Sequence, residues 1–150
     1  MKRLVELGVP ISIWGDNWKK SSCWQVIKGV WRGPGIHTAD YAKPLLGARI
    51  CLGLLNAENR DLPTKRSIEI PALDRLLCAQ RTTEHLMLYE ERKEAFFWDT
   101  AEECAEICMD LLHHPEVVRQ VARRGHQRCL RNNLFNEPVL ASIIKRVMDN

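Results

Sequence analysis

The amino-acid sequence predicts an α/β domain in which a mainly parallel sheet is flanked by helices and the last third of the chain is helical. Short apolar or β-branched runs alternate with helical patterns. The run 48–55 is almost continuously apolar, as in a parallel strand that is covered on both faces. The chain has 150 residues, 45% of them hydrophobic, which suits one domain with a single core.

Helical and extended patterns alternate along the first hundred residues. Apolar residues three or four positions apart indicate helices, whereas β-branched or continuous apolar runs indicate strands. The predicted elements are helix 1–7, strand 9–14, helix 38–46, strand 48–55, a helix through residues 68–76, strand 77–79 and strand 95–98. Gly15 follows the first strand, and we expect it to open a glycine loop. This alternation favours right-handed crossovers and hence a parallel sheet.

The last third of the chain predicts three helices. Thr100 and Glu103 have the spacing of a capping box, which marks the start of the first helix. Pro115 ends that helix and suits the first turn of the second. Within the second helix Gly125 predicts a close packing contact, and Asn136 is placed to cap a final helix.

Composition excludes several classes of protein. The net charge is +3, and lysine and arginine are spread along the chain, which gives no signal for nucleic acid. No apolar run approaches the roughly 20 residues of a membrane helix. The first residues lack the features of a secretory signal, so we expect a cytoplasmic protein without a membrane span. The six cysteines of a chain with this much apolar content are expected to be reduced and mostly buried.

Two further patterns have a structural and a functional interpretation. Cys104 and Cys108 lie one helical turn apart, with His113 and His114 nearby, as in some metal sites. We expect no metal, because these cysteines belong to an apolar helix face and no CxxC pair is present. A basic helix face is formed by Arg119, Arg123, Arg124, Arg128 and Arg131. Without interleaved aromatic residues it favours a solvated face over a nucleic-acid contact.

The residues around the start of the helix after strand 48–55 carry the most chemistry. Ligands bind open α/β sheets at the carboxyl ends of the strands, which is where this segment falls. Thr64, Lys65 and Arg66, together with backbone N–H groups of the helix start, could hold a diphosphate. Glu69, one turn later, could accept hydrogen bonds from ribose hydroxyls. The alternative is a solvated helix entry with surface ion pairs worth about 0–1 kcal/mol each.

Several stretches resemble the C-terminal domain of bacterial GT-B glycosyltransferases, especially the spore-maturation-protein type. They are residues 11–18, similar to the opening strand and glycine loop, 31–34, similar to the segment near the nucleobase, 64–72, 81–85, 93–97, and 111–131, similar to the paired C-terminal helices. One residue and one tripeptide differ from that pattern. Ile68 stands where relatives usually have an aromatic residue, and the tripeptide 73–75 replaces a turn that contains glycine and takes positive φ at little cost.

The resemblance implies that residues 1–150 form a Rossmann-like domain that binds a nucleoside-diphosphate sugar. It gives Glu69 the ribose and Lys65 or Arg66 the phosphates. Asp61, which seven residues separate from Glu69, receives a place near the sugar. It also implies that no metal ion is required. The complete set of predicted donor-binding residues is Gly15, Trp31, Asp61, Thr64, Lys65, Arg66, Glu69 and Glu84.

The parent reaction of this family moves a sugar from its nucleotide to an acceptor. The resemblance covers the donor-binding half alone, with the N-terminal acceptor domain absent, so we expect residues 1–150 to be inactive unless a partner supplies that half. The alternative is a non-catalytic binding or assembly module with the same fold. Self-association stays open, because a domain without its partner exposes an apolar patch.

Overall fold

The computed structural model describes residues 1–55, 62–132 and 134, which form an α/β domain. Within these ranges the regular elements are α1 (Lys2–Glu6), β1 (Ile13–Trp14), α2 (Trp24–Ile27), β2 (Trp31–Gly33), α3 (Ala42–Gly47), β3 (Ile50–Gly53), α4 (Arg66–Ala72), β4 (Leu76–Gln80), α5 (Thr83–Leu88), β5 (Phe96–Trp98), α6 (Ala101–His113) and α7 (Pro115–Arg131). Two 3-10 turns cover Asn17–Lys20 and Thr38–Tyr41. The described part of the chain contains no helix that could cross a membrane, by length and apolar content together.

All strand pairs of the described residues are parallel, which confirms the predicted sheet type. The strands β3, β4 and β5 form one sheet with β4 in the middle, and Cys78 pairs with Phe96 across it. The strands β1 and β2 form a separate parallel pair. Because parallel strands require a crossover between them, a helix follows each of the strands β3 and β4 before the next strand begins.

The central strand β4 is covered on both faces, as its apolar sequence predicts. Successive side chains of a strand point to opposite faces. Leu76 and Cys78 belong to the core under α6 and α7, whereas Leu77 and Ala79 belong to the core under α4. Both clusters are formed by nearly inaccessible side chains.

The helix after β3 is shorter than predicted. It ends at Ala72, because Asp74 adopts a left-handed backbone with φ of 56°, and Leu76 already belongs to β4. Asp74 belongs to the tripeptide 73–75, where the resemblance led us to expect a turn with glycine, and its positive φ carries a steric cost that glycine would avoid.

The start of α6 confirms the predicted capping box. The Oγ1 atom of Thr100 accepts a hydrogen bond of 3.1 Å from the N–H of Glu103. The Glu103 carboxylate in turn accepts from the N–H of Asp99, one residue earlier than in the usual box. Pro115 occupies the first turn of α7, as predicted. The predicted final helix, with Asn136 as its cap, lies outside the described residues.

Gly125 of α7 makes the close contact that the sequence predicts, although its partner is a loop and not a helix. A Cβ at this position would overlap the carbonyl oxygen of Glu94, just before β5. The carboxylate of Glu94 is almost buried and pairs with Arg131 at 3.0 Å and Arg128 at 3.6 Å. These two arginines therefore also hold α7 to the loop, while the other three arginines of the basic face, Arg119, Arg123 and Arg124, are exposed, as the predicted solvated face requires.

Candidate functional site

A cavity of about 860 Å³ lies between segment 9–14, which contains β1, and segment 47–52, which contains most of β3. It occupies the space between the two sheets. Cavities that hold small organic ligands span roughly 300–1,000 Å³, so a nucleotide fits this volume. Apolar side chains dominate the lining, and Tyr41 and Arg66 add polar groups.

Arg66 is fixed at the cavity by two neighbours. Its guanidinium carbon lies 4.0 Å from the centroid of the Tyr41 ring, in a cation–π contact. Its Nη1 atom donates a hydrogen bond to Oε2 of Glu69, one turn along α4. The Tyr41 hydroxyl donates to the same Oε2 atom at 3.1 Å. Arg66 and Glu69 therefore lie on one side of α4, as the hypothesis of a joint site requires.

The Tyr41 hydroxyl stays protonated at neutral pH. Burial raises its pKa to about 12, the nearby Arg66 opposes that shift, and Glu69 adds to it. A protonated hydroxyl can donate to a carboxylate, which is the direction of the bond to Glu69. The three side chains thus form a preorganised group with one cation and one carboxylate.

A buried serine–histidine pair, which the sequence analysis missed, anchors the start of α4. The Nδ1 atom of His85 lies 2.7 Å from the carbonyl oxygen of Gln80 and donates to it, because a carbonyl can only accept. The Nε2 atom of His85 then accepts a hydrogen bond of 2.7 Å from the Ser67 hydroxyl. Ser67 Oγ also accepts from the N–H of Thr64.

This pair is closed to solvent and positions the start of α4. Ser67 and His85 are 2% and 1% exposed, which denies a ligand access to either. Burial lowers the pKa of His85, so the ring is neutral and can accept from the serine. The hydroxyl of Tyr89 donates to the Ser67 carbonyl oxygen at 2.7 Å and holds the same turn from the other side. No spacing in the sequence signals this arrangement, because the fold brings together residues that are 18 positions apart.

The other predicted residues near α4 occupy exposed or half-buried positions. Lys65 immediately precedes the helix and is exposed, and Thr64 lies next to it. Glu84 lies in the first turn of α5 and accepts from Thr83 at 2.8 Å. The hydroxyl of Thr82 donates to the Leu62 carbonyl oxygen, which ties the start of α5 to the segment before α4. Asp61 lies outside the described residues.

Gly15 and Trp31 support the β1–β2 pair and lie outside the described cavity lining. The Gly15 carbonyl oxygen accepts from the Trp31 indole at 3.0 Å. The φ of Gly15 is 142°, and a Cβ at this position would lie 2.9 Å from Nε1 of Trp18, so the position requires glycine. The tryptophans that line the cavity are Trp14 and Trp18. Trp31, which the resemblance places near the base, is not among them.

Arg81, at the carboxyl end of β4, is committed to structure. It pairs with Glu91 at 2.7 Å, with Glu103 at 3.0 Å and with Asp99. Its hydrogen bond to Glu103 lowers the pKa of that carboxyl. The cation joins β4 to the start of α6 and to the loop before β5. Arg81 is not part of the cavity lining, which contains Arg49 and Arg66.

Comparison with known proteins identifies the family. The model of the glycosyl transferase-like family matches residues 1–139, which is nearly the whole chain. Searches of curated proteins and of solved structures returned no match. The parallel α/β fold agrees with a Rossmann-like glycosyltransferase domain. The chain therefore belongs to the glycosyl transferase-like family.

Proposed function

We propose that the cavity between β1 and β3 binds the nucleoside-diphosphate part of a sugar donor, and that the chain is the donor-binding half of a GT-B glycosyltransferase of the spore-maturation-protein type. One observation carries the proposal. Arg66, held by Glu69 and stacked on Tyr41, lines a cavity of about 860 Å³ that suits a nucleotide.

The charge of Arg66 suits the diphosphate. Guanidinium groups bind phosphate oxygens through paired, charge-assisted hydrogen bonds. When the sugar departs, negative charge grows on the diphosphate, and a fixed cation stabilises it without the cost of reorganisation. Lys65, the preceding residue, can add a second charge. These two cations would perform the task that a metal ion performs in other sugar transferases.

Glu69 and the tryptophans suit the remaining parts of the donor. One oxygen of the Glu69 carboxylate serves Arg66 and Tyr41, and a carboxylate has two oxygens with which to accept hydrogen bonds. The hydroxyl groups of the ribose can donate hydrogen bonds to these oxygens. Trp14 and Trp18 line the cavity, as Tyr41 and Arg66 do, and offer aromatic faces to a base. Asp61 keeps its proposed place near the sugar on the strength of the resemblance.

Sugar transfer also needs an acceptor site, which GT-B enzymes build with their N-terminal domain. We therefore expect residues 1–150 to bind the donor without turning it over. Addition of an acceptor-binding domain, from the same or another polypeptide, would complete the reaction.

Calorimetric titration with UDP, GDP, TDP and ADP tests the proposal. We expect one of these nucleotides to bind with micromolar affinity. Arg66→Ala and Glu69→Ala should each weaken that binding about 10- to 100-fold, which is the effect of losing a charged hydrogen bond. Lys93→Ala is the matched control, because Lys93 forms an exposed pair with Glu90 at the same spacing and should leave the affinity unchanged.

Two results would contradict the proposal. The absence of binding to any of the four nucleotides at millimolar concentration, in a protein shown to be folded, would favour the non-catalytic module. Equal losses of affinity in Arg66→Ala and Lys93→Ala would show that the binding depends on general charge and not on this cavity.

A further inference from the structure

Three buried cysteines meet between the sheet and α6. Their Sγ atoms all lie within 4.8 Å of one another. Cys78 comes from β4, and Cys104 and Cys108 come from successive turns of α6. The spacing of the two helical cysteines gives no sign of the third sulfur, because only the fold brings Cys78 next to α6.

The spacing suits one central atom. The sulfur of a zinc-bound thiolate lies about 2.3 Å from the metal, and three sulfurs at that distance from one atom stand at most about 4 Å apart, closer when the centre is pyramidal. Side-chain rotations that move each sulfur by a few tenths of an ångström to about 1 Å would bring the three sulfurs to such a spacing. Within the described residues no imidazole or carboxylate belongs to this group, so sulfur supplies every protein ligand.

The cavity provides access to the cluster. Cys78, Cys104 and Cys108 are 0%, 1% and 3% exposed, yet Cys108 is also part of the cavity lining. A small neutral molecule in the cavity can therefore reach Cys108 first and the two deeper thiols afterwards.

The apolar surroundings favour a bound centre that is neutral together with its ligands. Leu76, Phe96 and Leu111 belong to the same core cluster. A monovalent or divalent ion bound by three thiolates would leave net negative charge among these side chains, which is costly. A trivalent centre with three thiolates is neutral. We propose that Cys78, Cys104 and Cys108 form a binding site for a trivalent, three-coordinate thiophilic centre of the arsenite type.

The binding step balances without an oxidant. Arsenous acid, As(OH)₃, is neutral, and each thiol replaces one hydroxyl group, so that three As–S bonds form and three As–O bonds break. The three thiol protons leave with the hydroxyl groups as three water molecules, and arsenic stays trivalent. Cys108 is the cysteine of the three that lines the cavity, so its sulfur is the first nucleophile that the arsenous acid meets.

Native mass spectrometry of the full chain with arsenite, under a phosphine reductant, tests this site. We expect one arsenic per chain, with a mass gain of one arsenic atom minus three hydrogens. Each of Cys78→Ser, Cys104→Ser and Cys108→Ser should weaken uptake about 100-fold or more, because each tethered thiol acts at high effective concentration. Cys23→Ser, outside the cluster, should keep wild-type uptake, and Cys129→Ser should do the same at another buried position.

Thermal unfolding provides a second readout. Arsenite should raise the midpoint of the wild type, because the ligand binds the folded state, and should leave that of Cys108→Ala unchanged. If Cys78→Ser fails to fold, the comparison of Cys108→Ala with the wild type still tests the site. Three results would overturn the site: no uptake by the folded wild type, wild-type uptake by Cys108→Ala, or zinc uptake at these cysteines that excludes arsenite.

Discussion

The hydroxyl of Ser67 and Nε2 of His85 lie 2.7 Å apart in the interior and join the first turn of α4 to α5. Arg66 is the residue before Ser67, so this buried bond fixes the turn that presents the proposed phosphate ligand. The orientation of Arg66 thus depends on a buried hydrogen bond that the nucleotide sugar does not reach.

Ser67→Ala should destabilise the fold. The change leaves Nε2 of His85 and the N–H of Thr64 without the partner that each has in the interior. A buried polar group without a partner costs about 1–3 kcal/mol, and urea unfolding measures the change in free energy. Thr83→Ala, at an exposed hydroxyl in α5, is the control. A loss below about 0.5 kcal/mol, the range of neutral surface changes, would contradict the role of the pair.

His85 should make the protein less stable in mild acid. The unfolded ring has a pKa of about 6.5, and burial lowers the pKa in the folded state. Above the unfolded value both states are neutral. As the pH falls below it, the unfolded chain gains a proton that the folded chain does not, so stability declines down to the folded pKa. The slope is at most about 1.4 kcal/mol per pH unit.

Unfolding free energies at about pH 7.5 and about pH 5.5 measure this effect. The difference between the two values should shrink in His85→Gln and persist in His113→Gln, which alters an exposed ring. An NMR titration of the wild type reports the His85 pKa directly. A folded-state pKa above the unfolded value would refute the explanation.

Gly125→Ala should disrupt the packing of α7. Its Cβ would overlap the Glu94 carbonyl oxygen, which belongs to the backbone and cannot rotate away. We expect a loss of about 1–3 kcal/mol, the usual cost of overpacking. Gly29→Ala is the matched control, since nothing lies within 4 Å of the new methyl group. Similar thermal unfolding midpoints for the two variants would exclude the close contact.

Asp74→Gly should stabilise the protein. Asp74 has a φ of 56°, where a residue with a Cβ atom pays a cost of about 1–2 kcal/mol that glycine avoids, offset in part by the flexibility that glycine gives the unfolded chain. We expect a net gain of up to about 1 kcal/mol in chemical unfolding. Asp110→Gly places glycine inside α6 and should lower the free energy of unfolding by about 1 kcal/mol. A loss in both variants would mean that the Asp74 side chain contributes contacts that outweigh its backbone cost.

Local signals made the framework of the fold predictable. The continuous apolar run around β3, the Thr100 capping box and Pro115 each specify structure through neighbours in sequence. The helix boundary at Asp74 was predicted too late, because the apolar spacing continues through Leu76 while the backbone turns. The positive φ of Asp74 ends the helix, and the apolar spacing carries no signal for it.

The candidate site was predictable only in part. Arg66 and Glu69 lie one turn apart on a helix, so their proximity follows from sequence spacing. Tyr41 reaches the same carboxylate from 28 residues away, and Cys78 reaches α6 from another layer of the domain. Such contacts depend on tertiary packing, which local patterns do not encode. The cavity between the two sheets is also a tertiary feature, so the sequence did not indicate that Trp14 and Trp18 line it and Trp31 does not.

An NMR titration of the indole N–H signals with the nucleotide that binds tests the central claim most directly. Single tryptophan-to-phenylalanine variants assign the signals. We predict that the signals of Trp14 and Trp18, in the cavity lining, move with saturating shifts while that of Trp98 stays in place. A nucleotide that binds and leaves both cavity signals unmoved would contradict a donor site between β1 and β3.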